Sequence, residues 1–357
     1  MIQSERFQAE EHRIVTEDGY LLVIHRIPPS TRLANGRVVI YFHGLFGSST
    51  DIVIRGRDKG LGFLMSLAGF DVWLPNLRGS ADSQLTVNVT KDNPWDFSWD
   101  ENALYDFPAI IDYVLAVSGS SKVSIVGLSM AGNVVLGGLS LRPEYNQKLS
   151  GAVFLAPTSR LKYTRSIVKR AAPHWRWVYR LIKDSGVSWI PFMRVDVFHR
   201  FMAWMCSLPH VGPFLCASLM FSTESIVFTI EKDLLQKVFA HYPHPGSTKS
   251  VVHFLQIMNS GRFCMFDYGP EDNMLRYNRS TPPEYDLSSV DIPVAIFYSH
   301  WDTMVSYQDV EWLASQLKNT ILAYSVPKYK FAHLSFMWDP NIDSLVYNRV
   351  INVLQSL

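Results

Sequence analysis

Residues 123 to 139 read Val-Ser-Ile-Val-Gly-Leu-Ser-Met-Ala-Gly-Asn-Val-Val-Leu-Gly-Gly-Leu: a β-branched run, a turn of small residues and an apolar pattern with helical spacing. This is the setting in which a Gly-x-Ser-x-Gly elbow holds a serine hydroxyl above a sheet, ready to attack a carbonyl carbon. Ser129 is therefore the candidate nucleophile. The fifth position is Ala131 rather than glycine, which still adds little bulk. Taken alone, the motif also fits a serine in an ordinary strand-to-helix turn.

A second segment supports the elbow. Residues 38 to 47 read Val-Val-Ile-Tyr-Phe-His-Gly-Leu-Phe-Gly, an apolar strand run that stops at His43. Where an elbow of this kind is present, the loop after the third strand supplies a backbone N–H that faces the reacting carbonyl. The N–H groups of Leu45 and Met130 are therefore predicted to form the oxyanion hole. We interpret His43 as a residue that shapes this loop by hydrogen bonding, without a role in proton transfer.

A serine nucleophile needs a base and a carboxylate that orients the base, in the chain order Ser, Asp, His. Asp302 follows the strand run 294–298, and His333 follows the strand run 321–326. Both lie beyond the C-terminal ends of predicted strands, at the sheet edge where Ser129 lies. The sequence therefore predicts a triad of Ser129, Asp302 and His333.

Other histidines and aspartates compete for these roles. His300 lies on the same turn as Asp302, which leaves the acid no geometry to orient it and still reach Ser129. Asp309 and Asp339 are interpreted as exposed charges. His241 and His244 have a spacing that could suit a metal, but the prolines beside them break a helix and no third ligand is near. We expect no metal and no cofactor.

The composition fits an α/β protein with a large core. The chain has 357 residues, of which 48% are apolar and 18% charged, and its net charge of +1 gives no reason to propose nucleic acid as a partner. A hairpin is predicted over residues 12–27. Further strands are predicted at 38–42, 71–74, 123–126, 152–156, 294–298 and 321–326, with helical patterns between them. This alternation predicts a mostly parallel sheet covered on both faces.

The chain between residues 156 and 294 is far longer than a crossover needs. We predict a core from residues 1–157 and 291–357, and an inserted, mostly helical cap over 158–290. The first half of the cap mixes aromatic and cationic residues, among them Trp175, Trp177, Arg176 and Arg180. Such a cap could line an acyl-chain tunnel and settle on a lipid interface, or its aromatic side chains could fill its own core.

Two segments bear on membranes and compartment. Residues 201–221 contain no Lys, Arg, Asp or Glu, but Pro209, Gly212 and Pro213 favour two short lid helices over a membrane span. Residues 1–11 are polar and have no apolar signal core. As written, the chain would not enter the secretory route. It is expected to be intracellular or associated with a lipid surface, or secreted or lysosomal if the N-terminus is incomplete.

The sequence resembles the acid lipases, the group that contains gastric and lysosomal acid lipase, over nearly the whole chain. The resemblance rests on many short collinear segments: 15–20, 26–28, 43–45, 69–73, 76–79, 97–101, 105–106, 156–157, 260–263, 266–267, 277–278, 280–283 and 333–338. It implies an α/β-hydrolase fold with a lid and places the nucleophile at Ser129, the acid at Asp302 and the base at His333. These are the residues already chosen from the pattern.

This chain departs from the family near these residues. It has Gly127-Leu-Ser-Met-Ala131 for Gly-His-Ser-Gln-Gly, Ser299-His-Trp-Asp302 for Gly-Gly-x-Asp, and Ser335 for the aspartate of His-Leu-Asp. Each change replaces a polar or small neighbour and leaves the triad intact. The resemblance also implies a disulfide between Cys206 and Cys216 with Cys264 free. The alternative is three reduced thiols.

The resemblance implies a lipase that cleaves neutral-lipid esters, such as triacylglycerols or sterol esters, through an acyl-enzyme. The expected partners are the lipid ester and, through the cap, a lipid interface. The alternatives are a small-ester carboxylesterase, an acyltransferase, or a lipid-binding pseudoenzyme of the same fold. The sequence does not predict the oligomeric state.

Overall fold

An eight-stranded, mostly parallel sheet forms the centre of the molecule in a computed structural model, which describes residues 1–30, 36–80, 83, 93–189, 196–208 and 230–357. The strands β1 to β8 span Glu10–Val15, Leu21–Ile27, Val38–Phe42, Asp71–Pro75, Val123–Leu128, Leu149–Leu155, Val294–Tyr298 and Thr320–Ser325. Their order across the sheet is β1-β2-β4-β3-β5-β6-β7-β8. β1 pairs antiparallel with β2 and β2 with β4, and every later pair is parallel. The predicted α/β-hydrolase sheet is confirmed.

The central strands form because their apolar residues are buried on both faces of the sheet. Every residue of β3, β4, β5 and β7 is buried. Ile40 and Phe42 of β3 belong to the core on one face, whereas Val39 and Tyr41 belong to the core on the other. Continuous apolar runs of this kind are typical of parallel strands that helices cover on both sides.

Helices follow most of the strands. Their bounds are Leu61–Leu67, Trp99–Glu101, Phe107–Ser118, Ala131–Leu141, Trp175–Ser185, Asp196–Ser207, Lys232–His241, Thr248–Ser260, Pro270–Tyr277, Tyr307–Gln316, Ser335–Trp338 and Asn348–Ser356. Ser98 is the N-cap of helix Trp99–Glu101 and forms the predicted capping box. The Ser98 N–H donates a hydrogen bond to the Glu101 carboxylate. Short 3₁₀ helices lie at residues 3–5, 49–52, 143–148, 167–174 and 287–289, and short π-helical segments lie at 102–106 and 343–347.

The sheet closes across a long insertion. β6 pairs directly with β7, with Leu155 beside Phe297, although residues 156–293 lie between the two strands in sequence. The intervening helices include Trp175–Ser185 and Thr248–Ser260. The division into a core and a cap over 158–290 stays a prediction.

The uncharged segment 201–221 is described only in part. Helix Asp196–Ser207 enters it, and residues 209–221 lie outside the described residues. Within the described ranges, no helix is long and apolar enough to cross a membrane. Cys206 is disulfide-bonded, and Cys264 is free and buried. Cys216, the predicted partner of Cys206, lies outside the described residues.

A buried guanidinium joins the first hairpin to the helices behind the sheet. The side chain of Arg78 is fully buried and bonds both oxygens of Asp18, each at 2.8 Å. Its Nε also donates to Asp106 at 2.8 Å, and the guanidinium lies 4.1 Å from the Tyr20 ring centroid. Both carboxylates are thereby paired with one cation.

Two aspartates expected on the surface are buried instead. Asp309 accepts a hydrogen bond from Arg160 Nε at 3.0 Å and one from the backbone N–H of Tyr163. Asp339 is paired with Lys328. The prediction of exposed charges was wrong because cationic partners far away in sequence, or across a loop, cover each carboxylate.

Candidate active site

Ser129 lies at the tip of a sharp turn between β5 and helix Ala131–Leu141. Its φ is +53°, a left-handed conformation that is uncommon for residues other than glycine. The turn is held by its backbone, because Ser129 N–H donates to Leu155 C=O at 3.0 Å while its own C=O accepts from the N–H groups of Gly132 and Thr158. Strained backbone of this kind is found where the surrounding structure fixes a functional side chain.

Small residues are required around the turn. A Cβ at Gly127 would lie 2.9 Å from the Cβ of Ala131, and one at Gly44 would lie 3.2 Å from the Cβ of Ser129. Because Ala131 already has a Cβ at this point, position 127 has no room for one and must be glycine. The close approach of Gly44 also brings the loop after β3 against the elbow.

The three residues predicted as a triad form one hydrogen-bonded chain. His333 Nε2 lies 2.8 Å from Ser129 Oγ, and His333 Nδ1 lies 2.7 Å from Asp302 Oδ2. Asp302 follows β7 and His333 follows β8, so both reach the carboxyl edge of the sheet where Ser129 lies. Because the carboxylate accepts a hydrogen bond from Nδ1–H, Nε2 carries no proton and is left to accept the one from serine.

The orientation of Asp302 is fixed by its own turn. Its Oδ1 accepts hydrogen bonds from the N–H groups of Met304 and Val305, each at 2.8 Å, which leaves Oδ2 for the histidine. The side chain of Arg165 donates to the carbonyls of His300 and Asp302, at 2.8 and 3.1 Å. Sequence reasoning missed this contact, because a bond to a backbone carbonyl leaves no residue pattern to find.

The loop after β3 lies beside the nucleophile and offers a second amide. Across the part of the chain that the structure describes, neither Leu45 N–H nor Met130 N–H has an acceptor. One amide from this loop and one from the elbow, each without an acceptor among the described residues, are suited to stabilise an oxyanion. The assignment of Leu45 and Met130 to the oxyanion hole stays a prediction.

His43 holds this loop to the core. Its Nε2 must accept, because the N–H of Leu77 donates to it at 3.0 Å, so Nδ1 carries the proton and donates to Gly44 C=O at 2.8 Å. Burial lowers the pKa of His43 to about 4, which keeps the ring neutral. This geometry agrees with a loop-shaping role.

His300 is not joined to the triad. Its exposed ring packs between Tyr298 and Tyr307, at centroid distances of 5.9 and 4.4 Å. The sequence suggested His244 only as a possible metal ligand. In the structure its Nε2 lies 2.7 Å from Ser48 Oγ. Among the described residues, no group of three or more His, Cys, Asp or Glu side chains could hold a metal ion.

Comparison with known proteins places this geometry in a family. The model of the partial α/β-hydrolase lipase region matches residues 1–56, and that of the α/β hydrolase fold matches residues 37–183. Gastric triacylglycerol lipase of Bos taurus is 32% identical over 99% of this chain and 90% of its own length. Lipase 3 of Drosophila melanogaster is 35% identical over 99% of this chain and 92% of its own length.

The chain belongs to the acid lipase family. As an acid lipase it is a carboxylic ester hydrolase. Solved structures agree on the fold: carboxylesterase CesB of Bacillus subtilis superposes with a TM-score of 0.53 at 14% identity, covering 100% of this chain and 95% of its own. Esterase RhEst1 of Rhodococcus gives a TM-score of 0.53 at 16% identity, covering 97% and 99%.

Proposed function

We propose that this acid lipase hydrolyses neutral-lipid esters, triacylglycerols or sterol esters, through an acyl-enzyme formed on Ser129. The observation that supports it best is the unbroken hydrogen-bonded chain from Ser129 Oγ through His333 to Asp302, with distances of 2.8 and 2.7 Å. The relatives named as triacylglycerol lipases support the choice of a lipid ester.

In the first half-reaction, His333 Nε2 removes the proton of Ser129 as Oγ attacks the ester carbonyl carbon. The negative charge that develops on the carbonyl oxygen is stabilised by the N–H groups of Leu45 and Met130, and the Asp302 carboxylate stabilises the imidazolium. His333 then donates its proton to the leaving alcohol oxygen, so the alcohol departs and the acyl group stays on Ser129.

In the second half-reaction, water takes the place of the alcohol. His333 removes a proton from water, the hydroxide attacks the acyl carbonyl carbon, and the proton returns to Ser129 Oγ as the fatty acid leaves. The same two amides serve both tetrahedral intermediates. Loss of one such donor typically costs about 10²- to 10³-fold in kcat.

Covalent labelling tests the nucleophile directly. The purified protein is treated with a fluorophosphonate, and the adduct is located by peptide mass spectrometry. We expect the label on Ser129, none in Ser129→Ala, and a loss of at least ~10⁴-fold in kcat in that variant. Labelling elsewhere would overturn the assignment. An unlabelled protein that still binds lipid would indicate a pseudoenzyme, and hydrolysis confined to short esters would indicate a carboxylesterase.

We also propose that helix Trp175–Ser185 contacts the lipid interface. Trp177 and Leu181 are four residues apart, so they lie on the same side of the helix, and their exposed fractions are 66% and 52%. Arg176 and Arg180 flank them and add positive charge. An apolar stripe bordered by cations is suited to a lipid surface that carries anionic headgroups.

A paired substitution tests this contact. Trp177→Ser with Leu181→Ser is expected to lower hydrolysis of emulsified triacylglycerol about tenfold, because less apolar surface is available to enter the interface. Hydrolysis of soluble p-nitrophenyl butyrate should stay within twofold of wild type. Val117→Ser, at another exposed apolar position on helix Phe107–Ser118, is the control and should change neither activity. Equal losses on both substrates would contradict the proposal.

A further inference from the structure

The loop that carries Leu45 is held from two sides. We define the oxyanion loop as residues 43–48, between β3 and the turn Ser49–Ile52. On the core side, His43 bonds Leu77 N–H, as described above. On the other side, the loop contacts the segment 244–246, which comes just before helix Thr248–Ser260.

Three contacts join segment 244–246 to the oxyanion loop, and His244 Nε2 also lies 3.4 Å from Thr50 Oγ1 in the turn that follows. His244 Nε2 shares a hydrogen bond of 2.7 Å with Ser48 Oγ, and His244 N–H donates to Phe46 C=O at 2.8 Å. Gly246 packs so closely on the Phe46 ring that a Cβ there would lie 2.7 Å from a ring carbon. All three contacts fall on residues 46–48, directly after Leu45.

The oxyanion loop depends on such contacts because its own backbone is strained. Phe46 has a φ of +59°, a left-handed conformation in which a bulky side chain is disfavoured. Strain of this kind costs about 1–3 kcal/mol and persists only where the surroundings hold it. The bonds from His244 lie on both sides of Gly47, so they fix the backbone on which the direction of the Leu45 amide depends.

The Ser48–His244 pair is not a second catalytic centre. Ser48 is fully buried, and its Oγ accepts the N–H of Thr50 as the cap of the turn that follows. A hydroxyl engaged in capping and closed to solvent has no access to an ester carbonyl. His244 holds Ser48 through this hydrogen bond and, through Ser48, the loop.

We propose that His244 is a positioning residue for the oxyanion hole: it fixes the oxyanion loop so that Leu45 N–H faces the carbonyl oxygen held at Ser129. This inference rests on the proposed function. An oxyanion-hole donor stabilises the transition state more than it stabilises the bound substrate. Its displacement should therefore lower kcat and leave KM nearly unchanged.

The test compares His244→Leu with His244→Gln on p-nitrophenyl butyrate, a soluble ester that avoids the lipid interface. His244→Leu removes both hydrogen-bonding nitrogens and is expected to lower kcat about 10- to 30-fold with KM within twofold. Glutamine can place an amide near the position of Nε2, so His244→Gln should recover kcat to within about threefold of wild type. His174→Leu, at an exposed histidine, is the control and should keep wild-type kcat.

Ser48→Ala removes the other partner of the same bond together with the cap of the turn, so His244→Leu is measured a second time in the Ser48→Ala background. The double variant Ser48→Ala, His244→Leu should lose no more than the worse single variant, as expected for two residues that act through one interaction. If His244→Leu does not fold, as judged by its thermal transition, Ser48→Ala and His244→Gln still test the bond.

Three outcomes would overturn the inference: kcat of His244→Leu within twofold of wild type, a loss confined to KM, or losses that multiply in the double variant. Each of them presupposes an active wild-type enzyme. A wild type that neither reacts with fluorophosphonate nor hydrolyses the ester contradicts the proposed function itself, so the two failures are distinguishable.

Discussion

Ser129 and Asp302 are each oriented by backbone rather than by neighbouring side chains. The strained turn directs the serine hydroxyl at His333, and two N–H groups fix the carboxylate. The departures of this chain from its family at Leu128 and Met130 fall on side chains that cannot hydrogen-bond to the triad as the family's polar residues could. Ser335 contacts the loop of the base instead, because its hydroxyl accepts the N–H of Ala332, beside His333, at 3.0 Å. The chemistry can persist while its polar surroundings change.

Asp302→Asn tests this account. Asparagine can turn its amide group toward His333, which would force the imidazole into the tautomer that cannot accept the serine proton. We expect kcat to fall about 10³- to 10⁴-fold on a soluble ester, with the thermal transition close to that of wild type. His300→Ala, two residues away and outside the hydrogen-bonded chain, is the matched control and should lose less than about threefold. The reverse ranking would show that acid and base have been misassigned.

At this scale, the sequence selected three residues that the structure joins by hydrogen bonds, and their catalytic roles stay a prediction. Ser129, Asp302 and His333 each follow a recognisable strand, so chain order and strand ends were enough to select them. The contact of His244 with Ser48 and the burial of Asp309 could not be predicted, because each depends on a partner from a distant segment. Local patterns contain no information about such pairs.

Between elements, the Arg78 cluster is a largely buried electrostatic link. One fully buried guanidinium forms ion pairs with Asp18, in the turn between β1 and β2, and with Asp106, at the start of helix Phe107–Ser118. Removing the cation would leave two carboxylates without their partner in a medium that penalises unpaired charge. This link ties the antiparallel end of the sheet to the helix behind the parallel strands.

Arg78→Met measures the link. We expect the free energy of unfolding, from urea titration at pH 7, to fall by about 3–5 kcal/mol, since one partner of a buried ion pair is removed. Arg13→Met removes a cation from the surface pair with Glu11, whose side chains are 65% and 48% exposed, and should cost less than about 0.5 kcal/mol. A loss below 1 kcal/mol for Arg78→Met would contradict a structural role for the cluster.

The elements themselves were well predicted. The strand runs at Val38–Phe42 and Val294–Tyr298 were found to the residue, because buried parallel strands are apolar throughout. β6 begins earlier than predicted, at Leu149, and β8 ends at Ser325. The ion pairs that join elements were not foreseen, since Asp18 and Arg78 are far apart in sequence.

Across the whole molecule, buried ionisable groups act in opposite directions as the pH falls. Burial raises the pKa of Asp51 and of Asp100 to about 7, whereas it lowers the pKa of His43 to about 4 and that of His253 well below its ordinary value. As the pH falls from 7 to 4, the folded state binds more protons at these aspartates than the unfolded state does, so the free energy of unfolding rises. Below pH 6.5 the unfolded state takes up protons at the histidines, which destabilises the fold. The two effects offset one another.

Asp51→Asn removes the proton uptake of Asp51, which stabilises the folded state as the pH falls. It keeps an oxygen that can accept a hydrogen bond from the N–H of Ser48. Between pH 8 and 5 the variant should lose about 2–3 kcal/mol of unfolding free energy relative to wild type, because asparagine cannot take up the proton that Asp51 binds on folding. Urea titrations at several pH values measure the difference. Asp272→Asn, at an exposed position, should follow the wild-type curve. Parallel curves for Asp51→Asn and wild type would contradict the offset.

The pairing of β6 with β7 across residues 156–293 has a consequence for biosynthesis. A nascent chain carries Ser129 long before it carries the strand that precedes Asp302, and His333 is made after both. Until then Ser129 is an ordinary alcohol with no base to activate it. The proposed mechanism therefore requires the chain through residue 333, and it predicts that a transcript or a protease cut that ends the chain before that residue yields a protein that has the nucleophile but no base to activate it.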